Sequence, residues 1–304
     1  MIRVVIPDDY PEVLGKSPSL DRLRERFEVS NHNSLPGSEA TLVERLRGAD
    51  AAINIRSSTK ITASVFAQLP RLKMLSIWGT GTDNVDLAAA REHGIRVTNT
   101  PAVAAVSIAE HTLALMLAAA RRIPAIDAEV RAGHWPRGQM MQLSGKTLGV
   151  IGLGAIGRRF AKLGEGIGMK VLTWTMNPKP ELGFVHVELD RLLAESDVVS
   201  LHLRLSEQTR NFLGAPQLAQ MKPGAIFVNT ARGPIVDESS LIAALESGHL
   251  RAAGLDVFDQ EPLPPNHPIT RLPNVVLSPH NAGVTAEALE AGLALAVDNV
   301  MAFY

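Results

Sequence analysis

Three short segments of this 304-residue chain carry side chains that together can orient a carboxylate-bearing carbonyl compound and move a proton to or from its oxygen. They are Asn229-Thr230-Ala231-Arg232-Gly233, then Leu255-Asp256-Val257-Phe258-Asp259-Gln260-Glu261-Pro262, then Ser278-Pro279-His280-Asn281-Ala282-Gly283. Each follows a short apolar run that reads as a strand. Reducing a 2-keto acid needs a hydride at the carbonyl carbon and a proton at its oxygen. Histidine is the side chain best suited to supply that proton near neutral pH. A glutamate beside it favours the imidazolium and orients the ring. A planar guanidinium can grip a carboxylate and a carbonyl oxygen in fixed geometry. His280, Glu261 and Arg232 are therefore the candidate catalytic residues. Singly, each has a plainer reading: Arg232 as a helix cap or partner of Asp237, Glu261 as a solvated loop carboxylate, His280 as a turn histidine.

A fourth segment names the hydride carrier. Leu148-Gly149-Val150-Ile151-Gly152-Leu153-Gly154-Ala155-Ile156-Gly157 reads as a strand running through G-x-G-x-x-G into a helix. Gly152 permits the tight turn, Gly154 lets backbone approach a pyrophosphate, and Gly157 lets helix and strand pack closely. The helix start then offers free N–H groups and partial positive charge to the phosphates. A site for NAD usually ends its second strand in an acid that binds the ribose hydroxyls. Here that strand reads Val171-Leu172-Thr173-Trp174-Thr175-Met176-Asn177, with no carboxylate. Thr175 and Asn177 can donate to a 2′-phosphate, Lys179 is the nearest cation on that loop, and Arg204 follows a strand that should flank the adenosine. No arginine directly follows Thr175. The expectation is NADP or NAD, with NADP slightly favoured.

The elements that must position these groups alternate along the whole chain. Ile2–Ile6, Ala51–Ile55, Leu72–Ile77 and Arg96–Thr98 read as strands, with Ser19–Arg26 as an early helix. A second cycle starts with strand Thr147–Ile151 and helix Ile156–Leu163. Strands at Lys170–Thr175, Asp197–His202, Ala225–Asn229, Ala253–Leu255 and Val275–Leu277 follow, and a last helix covers about residues 285–303. Short apolar runs alternating with helical stretches imply parallel sheets with crossover helices on both faces. The fold class is α/β: two doubly wound parallel-sheet domains, Rossmann- or flavodoxin-like, with a cleft between them. The final helix would return the chain to the first domain if that domain is discontinuous, and pattern alone leaves this open.

Composition removes other classes. The chain has no cysteine, which excludes disulfides, thiolate metal sites and cysteine nucleophiles, and no metal site is expected. A formal net charge of −1 provides no field to attract nucleic acid or an acidic membrane. The longest apolar stretch, Val103–Ala120, contains Glu110 and His111, so it reads as a buried helix and not a membrane span. The N-terminus lacks the apolar core of a signal peptide, and a cytoplasmic location is expected.

With these segments in view, the sequence resembles the D-isomer-specific 2-hydroxyacid dehydrogenases over essentially its whole length, closest in flavour to glyoxylate/hydroxypyruvate reductase-like members. The matching segments include Gly79-Thr80-Gly81-Thr82-Asp83-Asn84-Val85-Asp86, Ala109-Glu110-His111-Thr112, the glycine loop and the three catalytic segments. The resemblance implies a substrate domain of residues 1–100 plus 284–304, a dinucleotide domain of residues 101–283, and a homodimer. It makes His280 the acid/base, Glu261 its partner and Arg232 the substrate-orienting arginine. The backbone N–H groups of Thr80 and Gly81 become a carboxylate cradle, with Arg56 and Trp135 as further pocket candidates. Asp256 becomes the holder of the nicotinamide amide. The implied cofactor contacts extend from Gly152, Gly154, Ala155, Ile156 and Gly157 to Thr175, Met176 and Asn177, to His202, Leu203, Arg204 and Thr209, and to Thr230, Ala231 and Gly283. Glu261 stands where formate dehydrogenases of this superfamily use glutamine, so formate is not expected.

Two departures stand out: Thr175 replaces the frequent cofactor-selecting aspartate, and Arg204 replaces a frequent proline. The chain stops at Tyr304, just after the last helix, which argues against a phosphoglycerate role with a regulatory domain. Phosphoglycerate- or phosphonate-type dehydrogenases remain the alternative enzymes. A nucleotide-sensing corepressor-like protein is the alternative from another class.

Overall fold

A computed structural model describes residues 1–304 apart from Arg56, Ser57 and Lys179. The candidate substrate residue Arg56 and the cation Lys179 therefore lie outside the described residues. In chain order the elements are β1 (Arg3–Ile6), α1 (Pro18–Arg24), β2 (Glu28–Asn31), α2 (Glu39–Leu46), β3 (Ala51–Asn54), α3 (Ala63–Ala67), β4 (Met74–Ile77), α4 (Leu87–Glu92) and β5 (Arg96–Asn99). Next come α5 (Ala105–Arg121), α6 (Ile123–Arg131), β6 (Thr147–Ile151), α7 (Ala155–Gly166), β7 (Lys170–Trp174), β8 (Val185–His186), α8 (Leu189–Glu195) and β9 (Val198–Leu201). The chain finishes with α9 (Ala215–Gln220), β10 (Ala225–Asn229), α10 (Glu238–Glu246), β11 (Leu250–Leu255), β12 (Val275–Leu277) and α11 (Ala286–Phe303). Two compact units result, one of residues 1–104 and 284–304, the other of residues 105–283.

The first unit is a five-stranded sheet in the order β2-β1-β3-β4-β5, with every pair parallel. Its side chains alternate between faces, as strand geometry requires. Val4, Ile6, Ala51 and Ile53 face α1 and α11, packing on Leu20, Leu23, Leu293 and Val297. Val5, Ala52, Leu75 and Ile77 face the other way, onto Leu42, Val65 and Phe66. The last helix is fixed to the sheet by a bond from the buried Ser76 hydroxyl to the Ala296 carbonyl, 3.0 Å.

The second unit is a seven-stranded parallel sheet in the order β12-β11-β10-β9-β6-β7-β8. The strand order reverses about β6, with β7 on one side and β9 on the other. This is the topological switch point at which open α/β sheets bind ligands, outside the carboxyl ends of the strands. Leu148, Val150, Ile226 and Val228 face α5 and α7, while Ile151, Leu201, Phe227 and Leu255 face α8 and α10.

Several expectations shift. Residues 103–120 are not a uniformly buried helix. The helix starts at Ala105 and is amphipathic, with Ser107, Ala109, Thr112, Leu115 and Met116 buried and Glu110 exposed. The charge sits on the open face, which is why it is tolerated. Strand β11 begins at Leu250, three residues before the apolar run that marked it. Strands β2 and β8 went unread because they are sheet edges with a polar or very short sequence.

Candidate active site

All the chemistry-bearing segments of the second unit leave the same carboxyl edge. The glycine loop follows β6, Thr175 follows β7, His202 follows β9, Thr230 follows β10, Asp256 follows β11 and Ser278 follows β12. The parallel register makes this unavoidable once the strands are paired.

At the switch point, Gly152 has φ +100° and its amide donates to the Trp174 carbonyl, 2.7 Å. A Cβ there would lie 2.6 Å from the His202 carbonyl oxygen, and one at Gly157 would collide with the Gly152 carbonyl oxygen. Gly154 differs: a Cβ there would meet nothing within 4 Å, and the residue is exposed. The first turn of α7 begins at Gly154 with no side-chain cap. Two glycines thus close the turn and the third leaves open room beside uncapped amides of Ala155, Ile156 and Gly157. That combination fits a dinucleotide pyrophosphate.

Around this loop, Thr175 is partly buried, while Met176 and Asn177 are exposed. The His202 ring packs on Phe160 with centroids 5.3 Å apart and hydrogen-bonds Ser200, 3.0 Å. Burial pushes the His202 imidazolium down to about 3. The residue keeps partial solvent contact, which softens that cost without reversing it, so the ring is neutral at pH 7. Leu203 is partly buried and Arg204 exposed. Thr209 is buried, accepts the Ser206 amide at 2.7 Å and donates to the Arg204 carbonyl at 2.7 Å, so it shapes the turn on which Arg204 stands.

At the other half of the edge, His280 Nδ1 lies 2.6 Å from Glu261 Oε2, with the two side chains 33% and 31% exposed. An ionised carboxylate only accepts, so Nδ1 carries the proton, and Nε2 has no partner among the described residues. Glu261 Oε1 accepts the Phe258 amide at 3.0 Å. Burial pushes the Glu261 carboxyl up, but the His280 hydrogen bond and charge, the Phe258 amide and the Arg232 charge outweigh it and hold it below the ordinary glutamate value. The glutamate is therefore a fixed negative charge across the neutral range.

Arg232 stands on a loop clamped by Asn229, whose side chain accepts the Ala231 amide at 2.9 Å and donates to the Arg232 carbonyl at 3.0 Å. Gly233 then packs flat on the Phe258–Asp259 peptide; a Cβ there would collide with the Phe258 carbonyl. This contact joins the Arg232 loop to the Glu261 loop. Asp237, a conceivable partner of Arg232, caps α10 through the Ser240 amide at 2.7 Å.

Asp256 is fully buried. Its carboxylate accepts the Asn281 amide at 2.8 Å and the Ala282 amide at 2.9 Å, while its carbonyl accepts the His280 amide at 2.8 Å. Burial pushes this carboxyl up, and His111, Ser278 and the two amides pull it below the ordinary aspartate value. His280 itself sits at φ +56°, a left-handed conformation that costs a non-glycine residue about 1 kcal/mol. Three amide bonds to one residue offset that cost. Gly283, the last residue of this unit, follows directly.

In the first unit, Thr80 and Gly81 form the turn after β4. Gly79 has φ +128° and its amide donates to Thr100 Oγ1, 2.7 Å, while the Thr80 carbonyl accepts Asn99 Nδ2, 2.8 Å. Among the described residues, neither the Thr80 nor the Gly81 amide has an acceptor. Trp135 is 75% exposed, in a segment outside any helix or strand. No group of residues suited to hold a metal ion occurs among the described residues.

Residues 113–282 match the family model described as D-isomer specific 2-hydroxyacid dehydrogenase, NAD binding domain. A glyoxylate reductase of Korarchaeum cryptofilum is 39% identical over 99% of this chain and 92% of its own length. The crystal structure of a Thermus thermophilus protein superposes with TM-score 0.91 at 42% identity, covering 99% of this chain and 96% of that one. An acyclic imino acid reductase solved with NADPH and D-Arg superposes with TM-score 0.90 at 30% identity, covering 99% of this chain and 97% of its own.

Proposed function

The chain belongs to the D-isomer-specific 2-hydroxyacid dehydrogenases, and from that premise we propose that His280, Glu261 and Arg232 carry out its reaction on a small 2-keto acid. The protein is an oxidoreductase that transfers a hydride between a nicotinamide cofactor and a 2-hydroxy or 2-keto acid. The cofactor supplies the hydride when bound. The protein's residues do the rest. Protonated His280 delivers its Nε2 proton to the carbonyl oxygen as that oxygen gains charge, and accepts it back in the oxidative direction. Glu261 holds the ring through Nδ1 and steadies the imidazolium. Arg232 fixes the substrate carboxylate and polarises the carbonyl through its planar fork. The amides of Thr80 and Gly81, without acceptors among the described residues, are suited to a carboxylate. The observation that carries this reading is the 2.6 Å His280–Glu261 pair, on the same sheet edge as the glycine loop.

The cofactor is read as NADPH at least as readily as NADH, supported by a second strand that ends without an acid and by exposed Arg204. A homodimer is supported by α6, which buries no residue within the chain, and by Ile123, Val130 and Trp135, which are 55%, 43% and 75% exposed. Light scattering of the purified chain tests it. A cytoplasmic site of action belongs to the same reading; imaging of the tagged chain tests it. The activity itself is tested by following NADPH and NADH oxidation with glyoxylate, hydroxypyruvate, pyruvate and longer 2-keto acids. Turnover with at least one of them is expected; none with any would overturn the proposal.

A further inference from the structure

Two adjacent residues of α5 reach the two catalytic loops, and neither has a part in the chemistry above. His111 Nε2 lies 3.0 Å from Ser278 Oγ and 3.5 Å from Asp256 Oδ1. Asp256 is the residue whose carboxylate and carbonyl hold the amides of His280, Asn281 and Ala282. Thr112, next along the helix, is fully buried and lies 2.8 Å from Thr230 Oγ1. Its own hydroxyl proton goes to the Ile108 carbonyl at 2.6 Å. A hydroxyl has one proton, so Thr230 must be the donor in that pair, and its direction is fixed. Thr230 stands two residues before Arg232.

We propose that His111 and Thr112 are positioning residues that hold the His280 and Arg232 loops in common register, His111 through Asp256 and Ser278, Thr112 through Thr230. The helix is a suitable reference because it is packed closely on the sheet. It packs across β10, β11 and β12, and Gly254 on β11 lets it lie close: a Cβ there would be 2.9 Å from Leu115 Cβ. His111 is 28% exposed at its side chain whereas Asp256 is 1% exposed, so the histidine closes the open side of a buried carboxylate. A buried carboxylate with a donor missing relaxes toward water, and the Asn281 and Ala282 amides it holds, next to His280, would move with it. The inference rests on the dehydrogenase reading for its kinetic consequence, but not for its structural one.

The test compares His111→Leu with His111→Gln, and Thr112→Val with Thr112→Ser, in the full chain. Amide hydrogen exchange is read on peptides covering residues 278–283 and 229–233, together with steady-state kinetics. His111→Leu is expected to speed exchange in 278–283 by about tenfold, a local opening. It should lower kcat by roughly 10- to 100-fold, as displaced catalytic groups do, with the NADPH KM changed by a smaller factor than kcat. His111→Gln, which keeps a donor, should restore most of both. Thr112→Val should act on 229–233 and Thr112→Ser should rescue it. The proposal fails if His111→Leu leaves exchange and kcat within twofold of wild type, if the glutamine variant is as impaired as the leucine one, or if exchange rises evenly across the unit. If the wild type reduces no 2-keto acid, the functional reading fails, and the exchange measurements still decide the positioning claim.

Discussion

The polar residues at the carboxyl edges of the two sheets are used in opposite ways. In the first unit Asp9 is fully buried and saturated. Its two oxygens accept the amides of Val13, Leu14 and Gly15 and the Asn31 side chain, at 2.7 to 3.1 Å. Asn54 bonds Asp8 at 2.5 Å and Asn84 at 2.8 Å, both of them buried. In the second unit Glu261 and His280 keep about a third of their side-chain surface and bond each other. The first arrangement leaves no capacity for a ligand and locks loops to strands. The second leaves one ring nitrogen without a partner among the described residues, beside a fixed negative charge. Asp256 shows that one edge can hold both kinds: it is saturated like Asp9, three residues from a partly exposed segment that carries Glu261. What separates the two carboxylates is not residue type but the partner each holds: Asp9 holds backbone amides and an asparagine, while Glu261 holds an imidazole as well as the Phe258 amide.

The most disruptive change to that contrast is His280→Ala. It should lower kcat for keto-acid reduction by roughly 10²- to 10⁴-fold, with little change in Tm and with cofactor binding retained through the glycine loop. Near-wild-type turnover would place the proton donor elsewhere. Asp9→Ala should do the reverse. It leaves three backbone amides and the Asn31 side chain short of an acceptor, at about 1–3 kcal/mol for each group left truly buried. Thermal unfolding should occur more than about 5 °C lower, while kcat per folded molecule stays within twofold. A loss of kcat without a loss of Tm would mean that Asp9 takes part in chemistry.

The sequence carried the central strands and the glycine loop because their causes are local. Strands β6, β9 and β10 are buried on both faces and read as apolar runs. Gly152 is demanded by its own positive φ of +100° and Gly157 by the Gly152 carbonyl within the same short turn. The pairing of His280 with Glu261, 19 residues apart, followed from chemistry that needs both. Edge strands β2 and β8 were not legible, since Glu28-Val29-Ser30-Asn31 has no apolar run to mark it. The requirement for glycine at 233 was not legible either, because it comes from Phe258 on another loop. His111 stood in a recognised segment, but its role depends on Ser278, 167 residues away. No spacing rule reaches that far.

Two smaller effects refine the contrast on the cofactor side. Thr175→Asp should place a carboxylate where β7 ends, accept the ribose hydroxyls and repel a 2′-phosphate. The ratio of kcat/KM for NADPH over NADH should fall at least about tenfold, which is 1.4 kcal/mol; a strong wild-type preference for NADH would contradict the reading of that strand. His202 tests whether the saturated class extends beside the glycine loop. Its ring titrates near 6.5 when unfolded and at about 3 when folded. Between these values the unfolded chain binds the extra proton, so this contribution is whole above pH 6.5 and is lost as pH falls toward 3. Urea unfolding at pH 7 and pH 5 should show wild type losing about 1–2 kcal/mol more than His202→Asn. Equal losses would mean that the ring is not held neutral.

The claim that the Glu261–His280 pair is the proton-transferring unit is tested most directly by the pH profile of kcat/KM for keto-acid reduction in wild type and Glu261→Gln. Glu261 is ionised across the neutral range, since its partners hold it below the ordinary glutamate value. Replacing it removes a negative charge 2.6 Å from the ring and disfavours the protonated donor. The alkaline limb of reduction should therefore move to lower pH in the variant, and oxidation of the 2-hydroxy acid should become possible at correspondingly lower pH. Superimposable profiles for the two proteins, with both active, would contradict the account.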